Sequence, residues 1–393
     1  MNKFKRSLLL FLALLLCTVG GCRQRTTKSV AQTPSPEASP QETPSSAIGK
    51  PSTGERMFFR GTIAATGGTV KIEMMLVRDG DRVTGNYYYP KVGKSIGLTG
   101  TIDKDSNLDL REQDESGKET GVFKGKWKGA DKPNELEMAN ISGKWSKPDG
   151  TKETSFELTQ QPVRLSAESA RATTKLIKES NKQSHYVIDV EYPQVEGDPR
   201  FDKFNREARA LINKDVAAFK TSATATENDY GTDVPEDARN STLDCAYEIR
   251  FASDDLISIE FSASEYSRGA AHPNSYTNVL NYDVKNGKKL SLADLFNPKA
   301  TYLKAISDYS IKDLKQQAKA DKDTALTDDS IKSGASPRAD NFKAWTITKS
   351  GLWITFDPYQ VGPYAAGPQR VLIPYSALKD LIKPDGPIGS FAT

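Results

Sequence analysis

Between residues 57 and 158 apolar and polar residues alternate in short runs. They begin with Met57 to Ile63, Val70 to Val77 and Val83 to Tyr89. Further runs lie around Ile96 to Ile102, Leu108 to Glu112, Gly121 to Trp127, Leu136 to Trp145 and Thr154 to Leu158. A period of two marks strands with one buried face. Turn signals such as Asp79-Gly80, Ser116-Gly117 and Asp149-Gly150 separate the runs. The spacing predicts an all-β up-and-down meander or small barrel over 55–162, curled so that few edges stay open. Three times a glycine stands two residues before an aromatic: Gly85 and Tyr87, Gly125 and Trp127, Gly143 and Trp145. Such pairs serve either as an aromatic platform for a sugar or peptide, or as bends whose aromatics plug the barrel. The second reading is preferred. Alternation places Tyr87 and Tyr89 on one face and Tyr88 on the other, which makes Tyr88 a candidate exposed contact.

From 168 to 393 the pattern is mixed. Tyr186 to Tyr192 alternates as a strand. Asp198 and Pro199 then read as a helix cap and first helical residue. Phe201, Phe204, Ala208, Leu211, Ile212, Val216 and Phe219 follow at helical spacing. Strands are expected at Leu243 to Phe251, Leu256 to Tyr266 and Tyr276 to Val284. Asn286-Gly287 is a turn, and Ser291 to Asp294 a capping-box start. A second long helix is predicted from Lys299 to Lys319, a polar loop over 320–340, strands at Trp345 to Ile347, Leu352 to Phe356 and Arg370 to Pro374, and a last helix over Ser376 to Lys383. Strands and helices do not alternate regularly, so this region is predicted to be α+β with an antiparallel sheet.

The first residues carry a separate signal. A basic start, Met1 to Arg6, precedes the apolar run Ser7 to Cys17, which is too short to span a bilayer. Val19-Gly20-Gly21-Cys22 then matches a lipoprotein processing site. Residues 1–21 are therefore expected to be a signal peptide, with Cys22 the lipidated residue and membrane anchor. Residues 22–54 are rich in Pro, Ser, Thr and Gln and read as a disordered stalk. The expected location is the cell envelope, lipid-anchored and facing the periplasm or exterior, on the outer membrane if the host has one. The 54 basic and 51 acidic residues are interspersed, which argues against a nucleic-acid partner. Cys17 leaves with the signal and Cys22 is acylated, so Cys245 stands alone and reads as a buried small hydrophobe.

The second region resembles a known domain. The resemblance rests on Asp255 to Phe261, Gly269-Ala-Ala-His272-Pro273-Asn274, Asn281 to Phe296, Phe356 to Gly367 and Ile373 to Tyr375. These are similar to the extracytoplasmic domain shared by RsiV-type anti-sigma factors and the non-catalytic part of PdaC-type peptidoglycan deacetylases. In the RsiV branch the domain is a receptor for lysozyme, so the resemblance implies binding of a lysozyme-like muramidase or of peptidoglycan.

The catalytic vocabulary is thin. His185 and His272 are the only histidines, and no metal, phosphate-loop or dinucleotide motif occurs. No cofactor is expected. His272 reads as a turn-stabilising imidazole in preference to a base, and the acids Asp254, Asp255 and Asp294 as solvated or capping. The chain is read as a non-enzyme binding module, with a cell-wall hydrolase or esterase using His272, or a structural envelope protein, as alternatives. The candidate contact surface is the Gly- and Pro-rich loop 357–368, with the 269–274 loop beside it. Its residues are Tyr359, Pro363, Tyr364, His272 and Asn274. Tyr364, flanked by Pro363 and two alanines, is expected to be exposed. Tyr359, next to a strand, is as ready to fold back on the core. Cys22→Ser is expected to abolish fatty-acid labelling and move the protein out of the detergent phase. Normal labelling and partitioning of that variant would refute the anchor.

Overall fold

The computed structural model describes residue 54 and residues 56–129, 138–225, 239–320 and 325–392. The expected signal peptide, Cys22 and the stalk up to residue 53 lie outside the described residues. Among the described residues no helix is long and apolar enough to cross a membrane.

The first region is a closed barrel of eight antiparallel strands in sequence order. They are β1 (Arg56–Ala65), β2 (Gly68–Asp79), β3 (Arg82–Tyr88), β4 (Ser95–Ile102), β5 (Asn107–Gln113), β6 (Glu119–Lys128), β7 (Asn140–Ser146) and β8 (Thr154–Gln160). β8 pairs back onto β1, which leaves no open edge. The interior holds a chain of edge-to-face rings, with Phe59 on Trp127 at 5.4 Å, Tyr87 on Phe123 at 5.3 Å and Phe123 on Phe156 at 5.1 Å. Glu112 lies buried among them and is satisfied by Tyr87 Oη at 2.8 Å, Trp145 Nε1 at 2.8 Å and Thr120 Oγ1 at 2.6 Å. The repeated glycine–aromatic pairs thus plug the barrel. Gly125 and Gly143 face each other across β6 and β7, where a Cβ on Gly143 would sit 2.1 Å from Lys124 O.

The chain then enters a seven-stranded sheet. Its strands are β9 (Val163–Arg164), β10 (Arg171–Asn181), β11 (Tyr186–Glu196), β12 (Ser241–Ser253), β13 (Leu256–Tyr266), β14 (Asn274–Asp283) and β15 (Lys288–Lys289). Asp198 caps the turn into helix α1 (Asp202–Ala225), accepting from Arg200 N at 3.0 Å. Phe204, Ala208, Ile212, Val216 and Phe219 of α1 are buried against the sheet. Because this long helix crosses between β11 and β12, those strands run parallel. The expectation of a wholly antiparallel sheet is corrected at that pair and at the short β9·β12 pairing.

Helices α2 (Tyr302–Ala320) and α3 (Asp328–Gly334) pack with a three-stranded antiparallel sheet, β16 (Trp345–Ile347), β17 (Gly351–Phe356) and β18 (Gln369–Pro374). α3 occupies a third of the expected loop, nucleated by Thr327, whose hydroxyl caps Ser330 N at 3.2 Å. The expected final helix is only a single tight turn at Tyr375–Ala377. Strand β10, not expected, forms the polar edge beside β11.

Barrel and sheet meet at a buried ionic node. Arg60 of β1 reaches Glu73 of β2 at 3.2 Å and Glu191 of β11 at 3.8 Å, and its guanidinium lies 4.1 Å over the Tyr247 ring of β12. Thr174 of β10 donates its backbone N–H to Glu73 at 3.0 Å, and its hydroxyl also bonds Glu73. Tyr88 Oη completes the ring of donors to Glu73 and accepts from Thr174 N at 3.2 Å. Tyr88 is therefore an interface residue between barrel and sheet, correcting its expected role as an exposed contact. Burial pushes the Glu73 carboxyl above its ordinary value despite Arg60 and the Thr174 donors. Arg60→Met would leave Glu73 without its cation and is expected to cost about 3–5 kcal/mol. A carboxyl with a raised folded-state value is destabilising when ionised, so the variant's deficit should shrink as pH falls and Glu73 is protonated. Urea unfolding of parent and variant across pH checks this; a pH-independent deficit would contradict it.

Candidate functional site

Two loops converge at one end of the two sheets. One joins β13 to β14 and carries His272 and Pro273; the other, 357–368, joins β17 to β18. The sheets are fastened beneath them by buried polar links. Ser258 Oγ of β13 donates to Asn281 Oδ1 of β14 at 2.5 Å and accepts from Ile347 N of β16 at 2.8 Å. Asn281 Nδ2 donates to Trp345 O at 2.8 Å. Buried Glu260 of β13 receives Arg250 at 3.0 Å and Thr355 Oγ1 of β17 at 3.1 Å.

The long loop is pinned by Gln360, whose amide donates to Gly334 O at 3.1 Å and Asn341 O at 2.8 Å. Gln360 N also bonds Asp357 O at 3.0 Å, closing a turn over Pro358 and Tyr359. Proline holds the first central position, and Tyr359 takes the second with φ +71°. That is a type II turn, where glycine or asparagine is normal. A tyrosine there costs on the order of 1 kcal/mol.

The rings form a cluster. His272 stacks on Tyr364 with centroids 4.0 Å apart and planes at 25°. Tyr359 lies 5.5 Å from Tyr364, with its hydroxyl 3.4 Å from His272 Nε2. Tyr364 Oη donates to Pro273 O at 2.7 Å and so ties the two loops together. His272 Nδ1 is 2.9 Å from the same carbonyl, the turn-stabilising contact expected for it. Tyr359 is 64% exposed, and His272, Pro363 and Asn274 are exposed around it. Tyr364 is half-buried under His272. Tyr364, expected to be exposed, is therefore half-buried and supports the cluster, while Tyr359, for which the sequence leaves exposure and folding back open, presents its ring to solvent.

The other candidates fall elsewhere. His185 sits in the β10–β11 turn. Cys245 is buried, its thiol pushed up to about 12 by desolvation. Asp294 caps its own turn through Ser291 N at 2.8 Å, and Asp254 accepts from Ser166 N at 3.0 Å. Among the described residues no group of three or more His, Cys, Asp and Glu is placed to hold a metal. Sequence reasoning missed Asn281 and Ser258, which position the loops from below; nothing in a strand's alternation marks a buried polar pair.

Comparisons with known proteins agree with the resemblance to a PdaC-type domain. Residues 179–275 match the family model described as Deacetylase PdaC. Residues 293–376 match a second model, a protein of unknown function, DUF3298. The chain is 25% identical over 227 residues to the peptidoglycan-N-acetylmuramic acid deacetylase PdaC of Bacillus subtilis. That alignment covers 58% of this chain and 45% of the relative, so the chain spans less than half the length of the curated relative it matches. Among solved structures, a DUF3298 family member from Bacteroides fragilis aligns with TM-score 0.43 and 17% identity, covering 57% of this chain and 98% of that one. A second, from Pseudomonas aeruginosa, aligns with TM-score 0.39 and 19% identity, covering 55% and 93%.

The backbone strain gives a direct test. Tyr359→Asn keeps the left-handed turn and removes the ring. Its thermal midpoint is expected to equal or exceed the parent's, by up to about 1 kcal/mol in stability. A loss of stability beyond that size would show the ring to be a packing element.

Proposed function

We propose that this chain is a non-catalytic binding module of the cell envelope that engages wall glycan through Tyr359, Tyr364 and His272, tethered by lipid on Cys22. The observation that carries the reading is Tyr359, an exposed ring held in a strained turn and backed by a stacked His272–Tyr364 pair. Strained residues that hold a side chain toward solvent cluster at functional sites. A pyranose has an apolar face of C–H groups that lies flat on such a ring, while the phenol hydroxyl and the exposed Asn274 amide can meet its hydroxyls. The likeness to a protein described as acting on peptidoglycan supports a wall ligand. Against a hydrolase or esterase, the ring nitrogens of His272 meet Pro273 O and a phenol, and among the described residues they have no carboxylate partner of the kind that orients a Ser–His–Asp site. The same rigid tyrosines would also suit a protein ligand, and the resemblance implies a lysozyme-like one.

Co-sedimentation with purified peptidoglycan sacculi tests the proposal. The parent is expected to pellet with the glycan, and Tyr359→Asn to lose about 2 kcal/mol or more of binding. Failure of the parent to pellet, or equal pelleting of the folded variant, overturns it. Calorimetry against lysozyme in parallel identifies the protein-ligand alternative.

A further inference from the structure

The hydrogen bonds of the aromatic platform run in one direction, and Pro273 sets it. A carbonyl oxygen has two lone pairs and can only accept. Tyr364 Oη donates to Pro273 O at 2.7 Å, and His272 Nδ1 lies 2.9 Å from the same oxygen. Nδ1 therefore carries the imidazole proton, since a bare nitrogen would set lone pair against lone pair. In a neutral imidazole the other nitrogen is then an acceptor. That nitrogen, Nε2, lies 3.4 Å from Tyr359 Oη, so the phenol donates its single proton to it. The stack beneath holds this arrangement, with the imidazole 4.0 Å from the Tyr364 ring and the planes at 25°. A half-turn of the imidazole would place carbon atoms where both nitrogens now stand and lose both bonds.

The consequence falls on the exposed tip of Tyr359. With its proton committed to His272, the phenol oxygen offers solvent lone pairs alone. An amide N–H brings the donor that this oxygen needs. A hydroxyl can rotate to donate. A carboxylate brings acceptors only, and it must either face the lone pairs or draw the Tyr359 proton away and leave Nε2 unmet. A site discriminates well when the wrong ligand leaves its polar groups unpaired. An N-acetylated hexosamine suits the tip on both counts, since its apolar pyranose face and acetamido methyl lie on the ring and its N–H reaches the oxygen.

We propose that the relay from Tyr359 through His272 to Pro273 makes the platform selective for N-acetylated hexosamines and turns acidic sugars away. The inference rests on the glycan reading above and adds a polarity that the rings alone do not have.

The test is calorimetry of the purified chain at about 0.15 M salt, where exposed charges more than about 8 Å apart are largely screened. The probes are N-acetylated chitotetraose and the β-1,4-linked glucuronic acid tetramer, which share an equatorial backbone and differ in the donor or acceptor they carry. The parent is expected to prefer chitotetraose about tenfold or more. Tyr359→Phe keeps the ring and removes the oxygen. His272→Phe keeps a ring on Tyr364 and removes the acceptor, which frees the Tyr359 hydroxyl to donate outward. Each is expected to narrow the preference to about threefold or less, Tyr359→Phe by weakening chitotetraose and His272→Phe by strengthening the acid. A merely structural role would weaken both ligands together and leave the ratio as it is. Equal binding of the two tetramers by the parent, or a preference that survives in either folded variant, overturns the relay and leaves the glycan reading in place. Binding of neither tetramer by a parent that pellets with sacculi also overturns the relay alone, and failure to pellet overturns both.

Discussion

Glu73 is a carboxylate removed from water, and the arrangement of barrel against sheet follows from keeping it satisfied. Every group that does so comes from a different strand. Arg60 is on β1, Tyr88 on β3 and Thr174 on β10, while Tyr247 of β12 roofs the guanidinium and bonds the Thr174 hydroxyl at 2.6 Å. A buried charge lacking any one of these would cost several kcal/mol. The apolar contact beside it reinforces the same docking, since Phe58 of the barrel belongs to the core built by α1 and the sheet. Hydrophobic burial supplies attraction between the two parts, and the node fixes their register, because an ion pair hydrogen-bonded by Tyr88, Thr174 and Tyr247 tolerates little sliding.

The same logic recurs at the opposite join. Ser258 and Asn281 are buried polar residues in strands whose neighbours are apolar. They bond each other and, through Asn281 Nδ2 and Ser258 Oγ, backbone groups of β16. This locks the three-stranded sheet to the larger one, and the loops that continue from β13 and β17 emerge side by side. Tyr364 Oη then needs only one carbonyl, Pro273 O, to weld loop to loop.

How much of this was legible in the chain depends on the kind of signal. The barrel was readable throughout, since a two-residue period and closely spaced turns leave few other folds. Helix α1 was readable because six of its buried residues repeat at helical spacing. Strand β10 was not, because it is a largely polar edge with only Thr173 and Thr174 buried. Helix α3 was not, since one buried isoleucine, Ile331, cannot declare a period. Tyr88 shows a subtler limit. Alternation put it correctly on the outer face of the barrel, but alternation cannot say that a second domain covers that face. At the platform, Gly- and Pro-rich composition located the loops, whereas the turn that swings Tyr359 outward depends on a backbone angle that the dipeptide Pro358-Tyr359 does not announce.

That angle is the point where local preference and global structure disagree. A sequence folds reliably when its local and tertiary preferences agree, and the exceptions gather where something other than stability is selected. Here the surrounding contacts over-determine the strained residue. Gln360 is held by two carbonyls from another segment, Gly362 packs so tightly that a Cβ would sit 2.4 Å from Leu326, and Tyr364 is tied to Pro273. With both flanks fixed, Tyr359 has no relaxed alternative that keeps its neighbours in place. The scaffold therefore does to one phenol ring what the node does to Glu73. It holds an unfavourable group by satisfying everything around it. The two cases differ in direction: the carboxylate is turned in and consumed by the fold, while the ring is turned out and left available to a ligand.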